Sequence, residues 1–219
     1  MDVGDRQPGP ATLTEAALSH GLGIVAARDP DLADILERWG PPPLWDRPPG
    51  FPTLVHIILE QQVSLASAQA AFTRLCDAVT PLTPEGFLTL DDQTLKAIGF
   101  SRQKTAYGRY LATVLVEGQL DLVVLEHMDD AAVRSELMKL KGIGRWTADM
   151  YLLMVLCRPD IWPSGDLALA IAVQEAKGLD RRPSVDELDA MSTMWQPWRA
   201  VATRLFWHAY LSTRRQRTI

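Results

Sequence analysis

The stretch Leu140-Lys141-Gly142-Ile143-Gly144-Arg145-Trp146-Thr147-Ala148-Asp149-Met150 decides how this sequence is read. Upstream of it, Ala132, Val133 and Leu137 fall on one side of a helix, and Arg134, Glu136 and Lys139 on the other. Downstream, a second helix is expected over about 145–157. The two glycines allow a turn with positive φ and let a partner's backbone come close. The second helix begins just past Gly144, so its free N–H groups and positive dipole end point out of the turn. That is a setting for a phosphate-sized anion, and Lys141 and Arg145 add charge to it. An ordinary tight helix–helix turn fits the same glycines. Two other glycine motifs fail on context. A dinucleotide fingerprint needs GxGxxG after a strand, whereas Gly142-Ile143-Gly144-Arg145-Trp146-Thr147 follows a helix. A P-loop needs Gly-Lys-Ser/Thr, which is absent.

Outward from this hairpin almost everything reads as helix. Ser64 caps one over 64–79, with Leu65, Ala68, Phe72, Leu75 and Cys76 at helical spacing. Asp91 caps a short one ending before Gly99, and Ser101 one that stops at Gly118. Asp129 or Asp130 opens the helix before the hairpin. Another starts at Gly165-Asp166, Ser184 and Glu187 have capping-box spacing, and a last helix runs from Pro197 to about Ser212. No run of alternating strands occurs, so the fold class is all-α, with roughly ten short helices and no repeat. The proline-rich stretch at 40–52 (GPPPLWDRPPGFP) and the segment at 158–165 (RPDIWPSG) are the internal boundaries. They predict a single unit over 1–219 made of two helical subdomains flanking a cleft. One subdomain covers 50–158 and ends in the helical hairpin at about 130–157; the other joins 10–49 to 159–219.

Composition sets the outer limits. The chain has 219 residues, 47 % hydrophobic and 22 % charged, which excludes a disordered or fibrous protein. The longest apolar run, residues 150–157, is far short of a bilayer span. The polar start MDVGDRQPGP is no secretory signal. Two cysteines, Cys76 and Cys157, make neither a disulfide framework nor a zinc site and suit a reducing cytosol. Cys157 is expected in the core. The net charge of −5 argues against a polyanion partner, but the basic residues come in blocks. Segments 93–116, 134–145 and 199–219 are each strongly basic, and a polyanion meets the local field.

LKGIGRWTADMYL resembles the helix-hairpin-helix of the HhH-GPD DNA glycosylase superfamily, which carries a catalytic aspartate downstream. Within that superfamily the chain is most similar to the 3-methyladenine DNA glycosylase II branch, which acts on alkylated bases. Three further segments match in order: Ile57-Ile58-Leu59-Glu60-Gln61-Gln62-Val63-Ser64, then Ile98-Gly99-Phe100-Ser101-Arg102-Gln103-Lys104, and, after the hairpin, Trp162-Pro163-Ser164-Gly165-Asp166-Leu167-Ala168-Leu169. The ending, Trp195-Gln196-Pro197-Trp198-Arg199 followed by Leu205-Phe206-Trp207, is also similar. The resemblance covers about 50–210. Longer members carry an extra N-terminal β-rich domain, which this chain is expected to lack.

The resemblance implies an HhH-GPD fold and a monofunctional glycosylase of base excision repair. The reaction is hydrolysis of the N-glycosidic bond of a flipped-out alkylated purine, leaving an abasic site. Asp166 stands 22 positions after Gly144 and opens a helix. Alone it reads as an ordinary N-cap; in its matched motif it becomes the catalytic carboxylate, meeting positive charge on the sugar and orienting water. Strand-cutting relatives have a lysine at the second position after GxG; here that position is Trp146, so no Schiff base forms. Trp146, Met150, Trp207 and Trp162 are implied as the base pocket, with Met150 standing where a relative has tyrosine. Cationic alkylpurines stack on indole faces. Gln62 is implied as the wedge that fills the gap in the duplex, where a relative has leucine. Lys141, Gly142, Ile143, Gly144, Arg145 and Thr147 are implied as phosphate-binding. The hairpin carbonyls of Met138, Leu140 and Ile143 correspond to a site for structural Na+ or K+. No cofactor is required, and an iron–sulfur cluster is excluded because both cysteines precede residue 158. His208 is expected to pack or lie at the surface. The partner is double-stranded DNA with alkylated bases; no membrane is involved, and a cytoplasmic (in bacteria, nucleoid-associated) monomer is expected. Two alternatives stand beside this reading: a non-catalytic damage-binding module, and a glycosylase for oxidised or deaminated bases.

Overall fold

Short polar side chains set where the helices begin. A computed structural model describes residues 12–217. Thirteen α-helices and one 3-10 turn occur among the described residues, with no strand. In chain order they are α1 (Glu15–Arg28), α2 (Pro30–Trp39), α3 (Phe51–Glu60), α4 (Leu65–Ala78), α5 (Pro84–Thr89), α6 (Asp92–Ile98) and α7 (Arg102–Val116). They continue as α8 (Leu122–Leu125), α9 (Asp130–Met138), α10 (Arg145–Met154), α11 (Leu167–Ala176), α12 (Val185–Ser192) and α13 (Arg199–Arg217). Ser64, Asp91, Ser101 and Asp129 each accept a hydrogen bond from a backbone N–H in the first turn of the helix they precede. Gly99 closes α6 in the left-handed conformation. Ser184 and Glu187 form a complete capping box at α12. No described helix is long and apolar enough to cross a membrane.

The chain forms two compact units: the described residues up to Asp46 with those from Leu152 onward, and Arg47–Tyr151. The second division lies inside α10 rather than at 158/159. In the first unit α13 packs on α1, α2 and α11. Its core holds Leu22, Val25, Leu32, Val173, Leu205 and Phe206, with Trp195 against Phe206. In the second unit α3 packs on α4 and α7, and α5 lies along α7. Leu54, Ile57, Ile58, Leu75, Phe87 and Leu111 fill it. Cys157 is buried, as expected.

Three expectations need correction. The helix after the hairpin ends at Met154, not 157. Cys157 takes φ 49°, and the Arg158 N–H turns back to the Leu152 carbonyl at 3.0 Å. The last helix starts at Arg199 and runs to Arg217, past Ser212. Leu65, placed on the buried stripe of α4, is exposed; the stripe begins one turn later with Ala68, Ala71 and Leu75.

Candidate active site

In the second unit, α9 and α10 are the two arms of the hairpin, and the turn spans 139–144. The Ile143 N–H bonds the Leu140 carbonyl at 3.1 Å, and the Ala148 N–H bonds the Gly144 carbonyl at 3.0 Å. Ile143 and Leu140 point inward, while Lys141, Gly144 and Arg145 are exposed. The glycines are not equivalent. Gly142 has φ 90°, and a β-carbon there would collide with the Tyr107 ring of α7. Gly144 has no positive φ, and a β-carbon on it would meet nothing within 4 Å. The fold itself therefore needs a glycine only at 142. At 144 the bare backbone faces outward, beside the first N–H groups of α10.

A buried carboxylate ties the two arms together. Asp149 of α10 is 0 % exposed and takes Arg134 Nε of α9 at 2.7 Å. Arg145 lies 3.6 Å from its other oxygen. Burial pushes the Asp149 carboxyl up from its ordinary range, against the opposing pull of Arg134 and Arg145. Gln61, the C-cap of α3, reaches the same hairpin. Its Nε2 donates to the Gly142 carbonyl at 2.9 Å and to Thr147 Oγ1 at 3.0 Å. Thr147 is thus buried and engaged inside, unlike the exposed Lys141, Gly144 and Arg145. Lys104 of α7 donates to the Leu59 carbonyl at 2.7 Å. Gln61, Lys104, Tyr107 and Asp149 were not singled out by sequence. The one signal was their presence in, or next to, the matched segments. Gln62 is exposed with φ 57°, and Val63 and Leu65 beside it are exposed too.

In the first unit Asp166 caps α11 through the Leu169 N–H at 2.7 Å. Its same oxygen, Oδ1, accepts Nε1–H of Trp207, from α13, at 3.1 Å. Two donors from two helices therefore fix the carboxylate. Trp162 is only 4 % exposed, and its ring sits 5.2 Å from that of Trp195. It lies in the aromatic core of this unit, beside Trp195. Trp146 and Met150 stand one turn apart on α10, the former half-buried and the latter buried. His208 packs, bonding the Trp39 carbonyl at 3.0 Å with its ring near Trp45.

Three arginines of the C-terminal basic block are engaged within the first unit. Arg199 pairs with Asp160 at 2.7 Å, and Arg214 with Glu175 at 3.2 Å. Arg204 is 0 % exposed and donates to the carbonyls of Leu44 (2.7 Å), Leu153 (2.7 Å) and Ala200 (3.1 Å).

The sequence profile of the HhH-GPD superfamily of base excision DNA repair proteins matches residues 55–200. The chain belongs to this superfamily. Among curated relatives, it is 31 % identical to the putative DNA-3-methyladenine glycosylase YfjP of Bacillus subtilis, over 71 % of this chain and 57 % of that protein. It is 26 % identical to the alkylbase DNA glycosidase-like protein mag2 of Schizosaccharomyces pombe, over 80 % of this chain and 85 % of that one. The chain thus spans little more than half of the first of these relatives. A crystal structure of a DNA-3-methyladenine glycosidase from Bacillus halodurans superposes with TM-score 0.72 at 28 % identity, covering 90 % of this chain and 91 % of that one. The S. pombe glycosylase Mag1, solved with abasic DNA, shares the fold (TM-score 0.77, 21 % identity, 89 % and 97 % covered). In this HhH-GPD chain the hairpin and the aspartate fall within the matched segment, and Trp207 lies just beyond it.

Proposed function

We propose that this HhH-GPD chain is a monofunctional DNA glycosylase that removes alkylated purines from duplex DNA and leaves an abasic site. The observation that carries the reading is the Asp166 carboxylate, fixed by the Trp207 indole at 3.1 Å and the Leu169 N–H at 2.7 Å. A carboxylate held in one orientation suits a reaction that builds positive charge on the sugar as the base leaves. Water then adds to the anomeric carbon as Asp166 stabilises that cation and orients the attack. An alkylated purine is cationic and leaves without strong acid assistance. It also stacks on indole faces in a way a normal base does not. Trp146 and Trp207 are the stacking residues in this reading, and Met150, one turn from Trp146 on α10, is assigned to the base as well. The base is first taken out of the helix, and Gln62 fills the gap.

The hairpin holds a phosphate next to the lesion through the Gly144–Arg145 helix start, with Lys141 and Arg145 supplying charge. Gly142, Ile143 and Thr147 set the shape of the turn. A monovalent cation on the carbonyls of Met138, Leu140 and Ile143 belongs to the same reading, with Leu140 sharing its oxygen with the Ile143 N–H. Trp146 has no amine to form a Schiff base, so the strand stays intact. The protein is assigned to the cytoplasm, as a monomer on DNA.

The test is release of free bases from methylated duplex DNA. Free 3-methyladenine or 7-methylguanine is expected, with strands that break only on later alkaline treatment. Strands nicked by the protein itself would refute the monofunctional assignment. Preference for a neutral oxidised purine would refute the cation-stacking account.

A further inference from the structure

Gln61 joins two parts of the molecule that are far apart in sequence. Its amide donates to Gly142, in the turn, and to Thr147, in the first turn of α10, at 2.9 and 3.0 Å. Both acceptors belong to the segment assigned to phosphate. The next residue along the chain is Gln62, exposed and held at φ 57°. A non-glycine residue stays in that region only where its neighbours over-determine it. Two clamps do so here. Gln61 is pinned to the hairpin, and Lys104 holds the Leu59 carbonyl at 2.7 Å. Tyr107, on the same helix as Lys104, closes against Gly142. The end of α3, the start of α7 and the hairpin turn are therefore one hydrogen-bonded block, with Gln61 at its centre.

We propose that Gln61 is a positioning residue that couples phosphate capture to duplex penetration. When the hairpin seats on a phosphate, the Gln61 amide fixes how far the Gln62 backbone stands from that phosphate, and so how deeply the loop enters the base stack. This rests on the function proposed above. Gln61 touches neither the target base nor the phosphate in this account. It sets the distance between the residues that do.

The probe is a duplex carrying a stable abasic-site analogue with 2-aminopurine opposite it, compared with the same duplex without the analogue. Wild type is expected to prefer the abasic duplex and to brighten the 2-aminopurine on binding. Gln61→Leu keeps the shape of the side chain and removes both hydrogen bonds. It is expected to bind the undamaged duplex as wild type does, while its preference for the abasic duplex and its brightening fall roughly tenfold. Thr147→Val removes one of the two acceptors and is expected to fall between. An unchanged preference in Gln61→Leu would overturn the proposal. So would an equal loss of affinity for both duplexes, which is what a merely structural role gives. A wild type that shows no preference would overturn it together with the function. A wild type that prefers and brightens the abasic duplex but releases no base would contradict the glycosylase reading alone and leave the coupling supported.

Discussion

Two basic segments look alike as text and are used differently. Residues 134–145 carry four cations, and residues 199–217 carry five. In the hairpin segment Arg134 is tied to buried Asp149 and Lys139 to Glu136, yet Lys141 and Arg145 face outward beside a bare helix start. In α13, Arg204 is fully buried on three carbonyls, Arg199 is bound to Asp160, and Arg214 is bound to Glu175 and laid over Tyr210. A run of arginines is therefore no measure of the field a polyanion meets. What decides it is whether distant carboxylates and carbonyls claim the charges first.

The largest effect expected from this contrast is at Arg204. Arg204→Met leaves three buried carbonyls without their donor, and about 3–5 kcal/mol of stability should be lost in urea unfolding. A variant as stable as wild type would mean that α13 is not held in this way. The paired glycines come next. Gly142→Ala forces a positive φ and a clash with Tyr107, for about 2–4 kcal/mol. Gly144→Ala should leave the unfolding midpoint within about 0.5 kcal/mol of wild type. It should still weaken duplex binding by roughly threefold to tenfold, whatever the lesion, because a methyl group then stands between the helix start and the phosphate. Unchanged affinity would remove the hairpin from the interface. Lys141→Ala should lower the slope of log K against log salt by about 0.9, while Arg199→Ala leaves that slope alone. Equal slopes for both variants would erase the contrast.

The smallest effect is an acid one, confined to the first unit. Arg181, helped by the Ser184 amide and hydroxyl, holds Glu187 down from 4.5 to about 2. A lowered folded-state value means that the ionised carboxylate stabilises the fold above its unfolded value and that this gain is lost as pH falls. Stability should therefore decline between about pH 4.5 and 2, and less steeply in Glu187→Gln. Parallel curves for the two proteins would place the acid sensitivity elsewhere.

The helix starts were legible because caps are local. Ser64, Asp91, Ser101, Asp129, Asp166 and Ser184 each sit within three residues of the amide they take. The helix ends were less so: Cys157 turns the chain through a bond from Arg158 to Leu152, and no residue type announces it. Asp166 was legible as a cap, and its motif marks it as the carboxylate of the proposed reaction. Its tie to Trp207, 41 residues away, was not. The same holds for Gln61, whose acceptors lie 81 and 86 residues on. Nothing in the sequence announced that Trp162 packs beside Trp195. Gly142 and Gly144 were read as a pair, and the ring of Tyr107 sets them apart.

The central claim is that the hairpin grips DNA while Asp166 does the chemistry. It is tested most directly by Asp166→Asn, measured for duplex binding and for single-turnover base release from methylated DNA beside wild type. The substitution preserves shape and the oxygen that Leu169 and Trp207 hold, and removes the charge. Binding within about twofold of wild type and release slowed about a hundredfold or more is the predicted result. Release at the wild-type rate would contradict the account.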